Sequence, residues 1–287
     1  MIAPVVLGAS LAWSRGYSFT AWIFALAMLG SVSLHLAANA IDDVFDYQSG
    51  TDAVIEQEFP PDSPGWKPIP RGLVSVRQGA AVAAAFYGLS LAAGLVLSIA
   101  VGWYALFIAV PGILLSFFYT APPLKLDYRG MGLGELSILL SFGPIPILGT
   151  YYVLSGQLDL LAFAVGIPTG LLTAGILVTH DLIFYDAYKE SGKRSLTVML
   201  GRRRAAILST VMALAAYVFV AAAVAARLIP AQGLLVLLAT PLFVKFADLQ
   251  GTERPPPEYG RRTMTVFIHS VLFTLLAAVG IALGGML

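Results

Sequence analysis

Asn39-Ala40-Ile41-Asp42-Asp43-Val44-Phe45-Asp46 closes a long apolar run, Ala21 to Ala40, and this junction decides how the chain reads. The run is long enough to cross a bilayer. His35, Asn39, Asp42, Asp43 and Asp46 recur at spacings of three and four, which puts them on one helical face. Three carboxylates on one face repel one another, and each costs on the order of 2.5–3.5 kcal/mol at the centre of a membrane helix. They are tolerable only where a cation or water meets them. Oxygen ligands at this spacing suit a hard cation such as Mg2+, which bridges carboxylates to the phosphates of a substrate. A solvated helix end with capping acids has the same local spacing, but it does not account for the charged loops that accompany this one.

Outward from this stretch the chain is apolar. Of its 287 residues, 58% are hydrophobic and 11% charged, against about 25% charged in ordinary soluble domains. It reads as one all-α, polytopic membrane domain over residues 1–287, integral to the cell membrane. No nucleic-acid partner is expected. Cysteine is absent, which excludes disulfides, thiol catalysis and Cys-ligated metals. The first apolar run, Ile2 to Trp13, has no basic region ahead of it and does not resemble a cleavable signal peptide. It is short for a span, so a fuller N-terminus is expected.

Apolar runs of roughly 20 residues predict nine transmembrane helices, near 2–14, 19–44, 77–101, 103–119, 135–155, 158–183, 204–228, 231–249 and 262–286. The connections after the second, fourth, sixth and eighth are long and charged, and the others are short. Of 17 Lys and Arg, all but Arg15 and Arg227 fall with the long loops; of 16 Asp and Glu, all but Asp159 do. The excess of Lys and Arg predicts that the long loops are cytoplasmic. All residues able to do chemistry then sit at one mouth of the bundle.

A second polar cluster ends the sixth helix: His180, Asp181 and Asp186, followed by Lys189, Lys193 and Arg194. These acids suit a second Mg2+, and the basic residues suit phosphate oxygens. Lys67-Pro-Ile-Pro-Arg71-Gly72 offers cations on a backbone stiffened by two prolines. Tyr119-Thr-Ala-Pro-Pro-Leu-Lys125-Leu-Asp127-Tyr128-Arg129-Gly130 mixes cations with aromatic rings. Each basic loop alone reads as a membrane-surface anchor. Two acidic clusters on the same side turn the reading toward a diphosphate site.

With these motifs in order, the chain resembles the UbiA superfamily of intramembrane prenyltransferases over nearly its whole length. The carrying residues are Asn39 to Asp52, Lys67 to Ser75, Tyr119 to Arg129 with Gly134-Glu135, and Asp181 to Leu196. The run Phe142-Gly-Pro-Ile-Pro-Ile-Leu-Gly-Thr-Tyr-Tyr152 leans toward the 1,4-dihydroxy-2-naphthoate polyprenyltransferase branch. The resemblance implies nine helices around a central cavity with cytoplasmic caps, and two Asp-rich motifs holding Mg2+ and an allylic diphosphate. It implies transfer of a polyprenyl group to an aromatic acceptor, as in menaquinone biosynthesis. Asp43, Asp46 and Asp181 are then the expected catalytic carboxylates. Asn39, Asp42, Asp43, Asp46, Asp181 and Asp186 form the expected metal set. Asn39, Lys67, Arg71, Tyr119, Lys125, Arg129, Lys193 and Arg194 are the pool for diphosphate and substrate contacts. Phe117, Phe118, Tyr119 and Tyr128 are expected to line a dry pocket for the allylic cation.

One departure stands out. Relatives carry acids at the positions of Phe184 and Tyr188. On an ideal helix at ~100° per residue, Asp181, Phe184 and Tyr188 share a face and Asp186 points about 200° from that of Tyr188. Unless the helix ends near Phe184, only Asp181 reaches a metal there. A second metal held by Asp181 and waters, altered specificity, and loss of catalysis all fit that pattern. Lys67, where relatives often place Arg, keeps the charge without bidentate geometry. The rival readings are transfer to 4-hydroxybenzoate, a glycerol-phosphate lipid or a tetrapyrrole, a silent prenyl-lipid-binding scaffold, and a transporter.

Overall fold

The computed structural model describes residues 1–58 and 67–285, and within them the chain is helical, with no β-strand. Six helices are long and apolar enough to cross a membrane: α2 (Ala21–Gln48), α4 (Val76–Val101), α6 with α7 (Leu133–Ser155), α8 (Leu160–Asp181), α11 (Arg202–Ala225) and α13 (Pro256–Gly284). Three shorter apolar segments accompany them: α1 (Ile2–Ser14), α5 (Tyr104–Phe118), and Ala231–Phe246. Lipid is the only solvent that suits α2 and α4. Their apolar windows are just 17% and 22% buried inside the protein, and side chains such as Leu29, Leu36, Val96 and Ile99 point outward. In water such a surface would be an association hazard.

α8 is the hub, packed against α6, α7, α11 and α13. Its close contacts depend on missing side chains. A Cβ at Gly143 would collide with the backbone of Gly166 and Gly170, and one at Gly170 would collide with the Leu139 carbonyl. Backbones can approach this closely only where both faces are small. The main core gathers Leu7, Ile147, Leu172, Val220, Phe273 and Ile281 from α1, α7, α8, α11 and α13. A separate cluster of Ile55, Leu182, Phe184, Tyr188 and Tyr259 lies under the acidic region.

Several expected boundaries move, each for a local reason. The helix expected at 135–155 is two, α6 (Leu133–Phe142) and α7 (Pro144–Ser155), broken at Gly143 with Pro144 at the first turn of α7. Proline there lacks the N–H that would continue the α6 ladder. The helix expected at 231–249 is a 3₁₀ segment (Ala231–Ala239) followed by α12 (Thr240–Phe246), with proline in the first turn. The last helix starts six residues early because Pro256 suits a first turn; its expected end at 286 lies outside the described residues. The helix expected to end at 183 stops at Asp181, and a short α9 (Tyr185–Glu190) follows. Two more short helices lie in the charged connections, α3 (Thr51–Glu58) and α10 (Leu196–Leu200).

Candidate active site

The carboxylates of α2 and the end of α8 share one cavity of about 110 Å³, lined by Asp42, Asp46, Lys67, Asp127, Asp181 and Lys193 among others. The long apolar α2 carries Asp42, Asp43 and Asp46 in its last two turns and ends at Gln48. Gly50, in the left-handed region (φ 81°), then turns the chain. That turn lets α3 start beneath α2 and bury Asp52 at 1% exposure. Sequence spacing gave Asp52 no role, because it lies beyond the helix that organises the other acids.

Two lysines divide these acids. The Lys67 ammonium lies 2.7 Å from Asp43 Oδ1, 3.6 Å from Asp52 Oδ1 and 3.9 Å from Asp42 Oδ2. Burial works against its charge, but the Asp42, Asp46, Asp52 and Asp43 carboxylates outweigh that and hold its pKa above the ordinary lysine value. Burial pushes the Asp52 carboxyl up to about 6, against the pull of Lys67. On the other side the Lys193 Nζ lies 2.5 Å from Asp127 Oδ2 and 3.5 Å from Asp46 Oδ2, with both partners buried. It sits over the rings of Tyr188 (4.5 Å) and Tyr128 (5.1 Å), an arrangement that favours a desolvated cation. The acids around it again overcome burial and keep its pKa well above the usual lysine range. Tyr128 donates its hydroxyl to Asp46 Oδ1 at 2.7 Å, so Asp46 is fixed from two directions.

Asp127 is the second buried acid that sequence reading left without a role. It stands on a 3₁₀ turn (Leu126–Tyr128) and is 1% exposed. Burial raises its carboxyl to about 6, with Lys193 opposing. Gly134 makes the space: a Cβ there would come within 2.8 Å of Asp127 Oδ1. Pattern offered no signal, since a lone Asp in a Pro- and Gly-rich loop reads as a surface turn residue.

Several expected site residues lie elsewhere. Asp186 is a correction: the helix does end before Phe184, yet Asp186 faces outward, largely exposed, and pairs with Arg202. Arg71 donates to Glu56 at 3.1 Å. Arg129 donates to the carbonyls of Leu124 (2.6 Å) and Pro123 (2.8 Å), bracing its own loop. Lys125 reaches Ser49 Oγ at 3.3 Å, and Arg194 is exposed. Asn39 is exposed one turn along α2 from the acids and does not line the cavity. Phe117 and Phe118 pack together, Phe117 also meeting Phe45 and Tyr87. Of the expected aromatics Tyr119 lines the cavity, joined by Phe184 and Tyr188.

A sequence profile of the UbiA prenyltransferase family matches residues 1–271. The chain belongs to the UbiA prenyltransferase family. Among curated relatives, it is 26% identical to 1,4-dihydroxy-2-naphthoate octaprenyltransferase of Haemophilus influenzae, over 99% of this chain and 92% of that one. It is 25% identical to 2-carboxy-1,4-naphthoquinone phytyltransferase of a Synechocystis species, over 99% and 90%. The fold matches a UbiA homologue from Aeropyrum pernix with a TM-score of 0.73 at 20% identity, covering 99% of this chain and 97% of that one. It also matches a UbiA homologue from Archaeoglobus fulgidus bound to GPP and Mg2+, with a TM-score of 0.58 at 14% identity, covering 96% and 95%.

A divalent cation of the kind used by a prenyltransferase suits the donor set. Both oxygens of Asp52, Oδ1 of Asp42 and Oδ2 of Asp181 are buried without a hydrogen-bond donor among the described residues. No three His, Asp or Glu side chains there converge as a ready-made cage. Mg2+ does not require one, since it keeps waters and is held by one or two carboxylates plus substrate phosphates.

Proposed function

We propose that this prenyltransferase moves a polyprenyl group from polyprenyl diphosphate to an aromatic acceptor, 1,4-dihydroxy-2-naphthoate, in a Mg2+-dependent reaction. The observation that carries this is the shared cavity in which Asp42, Asp46 and Asp181 face Lys67 and Lys193. The names of the curated relatives support the naphthoate acceptor.

Asp42, Asp43, Asp46 and Asp52 would hold Mg2+, and Asp181 would serve the opposite wall. When bound, Mg2+ neutralises the charge that builds on the leaving diphosphate. Lys67 and Lys193 do the same with their ammonium groups as the allylic C–O bond breaks and the diphosphate takes the electron pair. Phe184, Tyr188 and Tyr119 exclude water from the allylic cation and present ring faces to it. An acceptor ring carbon then forms the new C–C bond, and loss of the naphthoate carboxylate as CO2 takes the place of ring-proton loss. The tail is hydrocarbon and needs apolar space. An apolar cavity lined by Leu26, Gly30, Leu34, Leu97, Ile108 and Ile145 begins roughly 12 Å from Asp42 along α2, at 1.5 Å per residue.

In this reading the nine apolar segments all cross the bilayer around the site, as one domain, with the long loops cytoplasmic. The short α1 and α5 cross with help from their flanking residues. A second reading, a prenyl-lipid-binding protein without turnover, is favoured by the aromatic Phe184 and Tyr188 in the cavity wall. Membranes carrying the protein, labelled prenyl diphosphate and a panel of acceptors test both. Mg2+-dependent prenyl-naphthoate product is expected, and Asp43→Ala or Asp46→Ala abolishes it while the protein extracts normally. Full activity in both variants refutes the metal assignment, and binding without product in the wild type selects the second reading.

A further inference from the structure

The acids in and around the cavity fall into two halves, each built around a lysine. In one, Lys67 faces Asp42, Asp43 and Asp52. In the other, Lys193 faces Asp46 and Asp127, and Asp181 lines the same space. Each half therefore sets three carboxylates against one ammonium. Asp46, Asp52, Asp127 and Asp181 are buried, and buried negative charge in excess is costly unless cations complete it.

The second half has the features of a ligand site. Asp181 is 1% exposed, lines the cavity and leaves Oδ2 without a hydrogen-bond donor among the described residues. Asp127 arrives from a different element, the 3₁₀ turn. Its backbone N–H donates to the Tyr119 carbonyl at 3.0 Å, and Gly134 leaves room for its carboxylate. Oδ1 of Asp127 has no hydrogen-bond donor among the described residues, and Oδ2 has Lys193 as its ion partner at 2.5 Å. Two converging, under-coordinated carboxylates beside a cation are what a hard divalent ion shares with a phosphate group.

We propose that Asp127 joins Asp181 at the second divalent-cation position that the family resemblance implies, on the wall opposite Asp42, Asp43 and Asp52, and supplies the carboxylate that the outward-facing Asp186 cannot. The inference rests on the diphosphate reading above. Lys193 is then the group that passes from Asp127 to the phosphate oxygens when the cation arrives.

Counting bound Mn2+ by electron paramagnetic resonance, on the full chain in detergent with geranyl thiodiphosphate, tests this without turnover. The wild type is expected to hold two Mn2+ per chain and Asp127→Asn one, while Asp186→Asn keeps two. Asparagine preserves the shape of the side chain; if that variant does not extract as a monodisperse protein, Asp181→Asn carries the same expectation. Retention of two Mn2+ in Asp127→Asn, or a single Mn2+ in thiodiphosphate-loaded wild type, overturns the proposal and leaves the diphosphate reading standing. Wild type that binds Mn2+ but no thiodiphosphate overturns both.

Discussion

Replacing Lys193 by methionine tests the electrostatic organisation of the cavity most directly. The side chain is 4% exposed, and methionine fills similar space without charge. Its removal leaves Asp46 and Asp127, which it touches at 3.5 and 2.5 Å, without their shared cation. Breaking a buried ion pair by deleting one partner costs about 3–5 kcal/mol. The two ring contacts, worth roughly 0.5–2 kcal/mol each when desolvated, disappear in the same step and are not added separately. At roughly 2–4 °C per kcal/mol for chains of this order of size, Tm falls by about 10 °C. The assay is thermal unfolding in detergent with a chelator at pH 7.5. Adding Asp127→Asn to Lys193→Met removes one of the stranded charges, so the double variant melts higher than the single one. Directly coupled groups depart from additivity by about 0.5–3 kcal/mol. A Lys193→Met protein that melts with the wild type, or a second substitution that recovers nothing, refutes the reasoning.

Three further outcomes follow from the same geometry. Asp52 and Asp127 have carboxyl pKa values raised to about 6, so between about pH 4 and 6 the folded chain binds more protons than the unfolded one. Metal-free protein therefore gains stability as pH falls through 6, and its Tm is higher at pH 5 than at pH 7.5. Affinity for Mn2+ runs the other way, dropping about tenfold per participating carboxylate between pH 7 and pH 5, as a titration at the two pH values measures. Gly134→Ala pushes a methyl group to 2.8 Å from Asp127 Oδ1, and is expected to weaken Mn2+ binding in the presence of thiodiphosphate about tenfold. Unchanged affinity would mean that Asp127 plays no part in holding the metal.

The apolar frame was legible because a bilayer leaves few options: runs of this length have to be helices. What periodicity misplaced were the interruptions. Gly143-Pro144 splits one expected helix, and the stretch from 231 winds as 3₁₀ before α12. The α2 acids were legible because three of them recur on one face. Asp52 was not, because a left-handed Gly50 lies between it and that face. Asp127 was invisible in principle, since nothing in a Pro-Pro loop says that its carboxylate is folded inward against Gly134. The arginines show the opposite limit. Arg71 and Arg129 read as anion binders, but Glu56 and the carbonyls of Pro123 and Leu124 engage them, and only tertiary structure reveals such partners.

Stability alone gives no reason for a buried cluster of this kind. A buried ion pair can commonly be replaced by apolar residues at no cost or with a gain, and here six carboxylates, Asp42, Asp43, Asp46, Asp52, Asp127 and Asp181, surround two lysines. The oxygens of Asp42, Asp52 and Asp181 that have no donor among the described residues mark where a cation would complete the site. In the proposed reaction divalent cations would complete the charge, and a diphosphate brought in with them would meet ammonium groups that no longer have to serve all the acids. Ligands that bind only the folded state raise its stability by mass action. The cluster that destabilises the empty bundle is therefore the same one that should make Mg2+ and a prenyl thiodiphosphate stabilise it strongly together and much less when given apart.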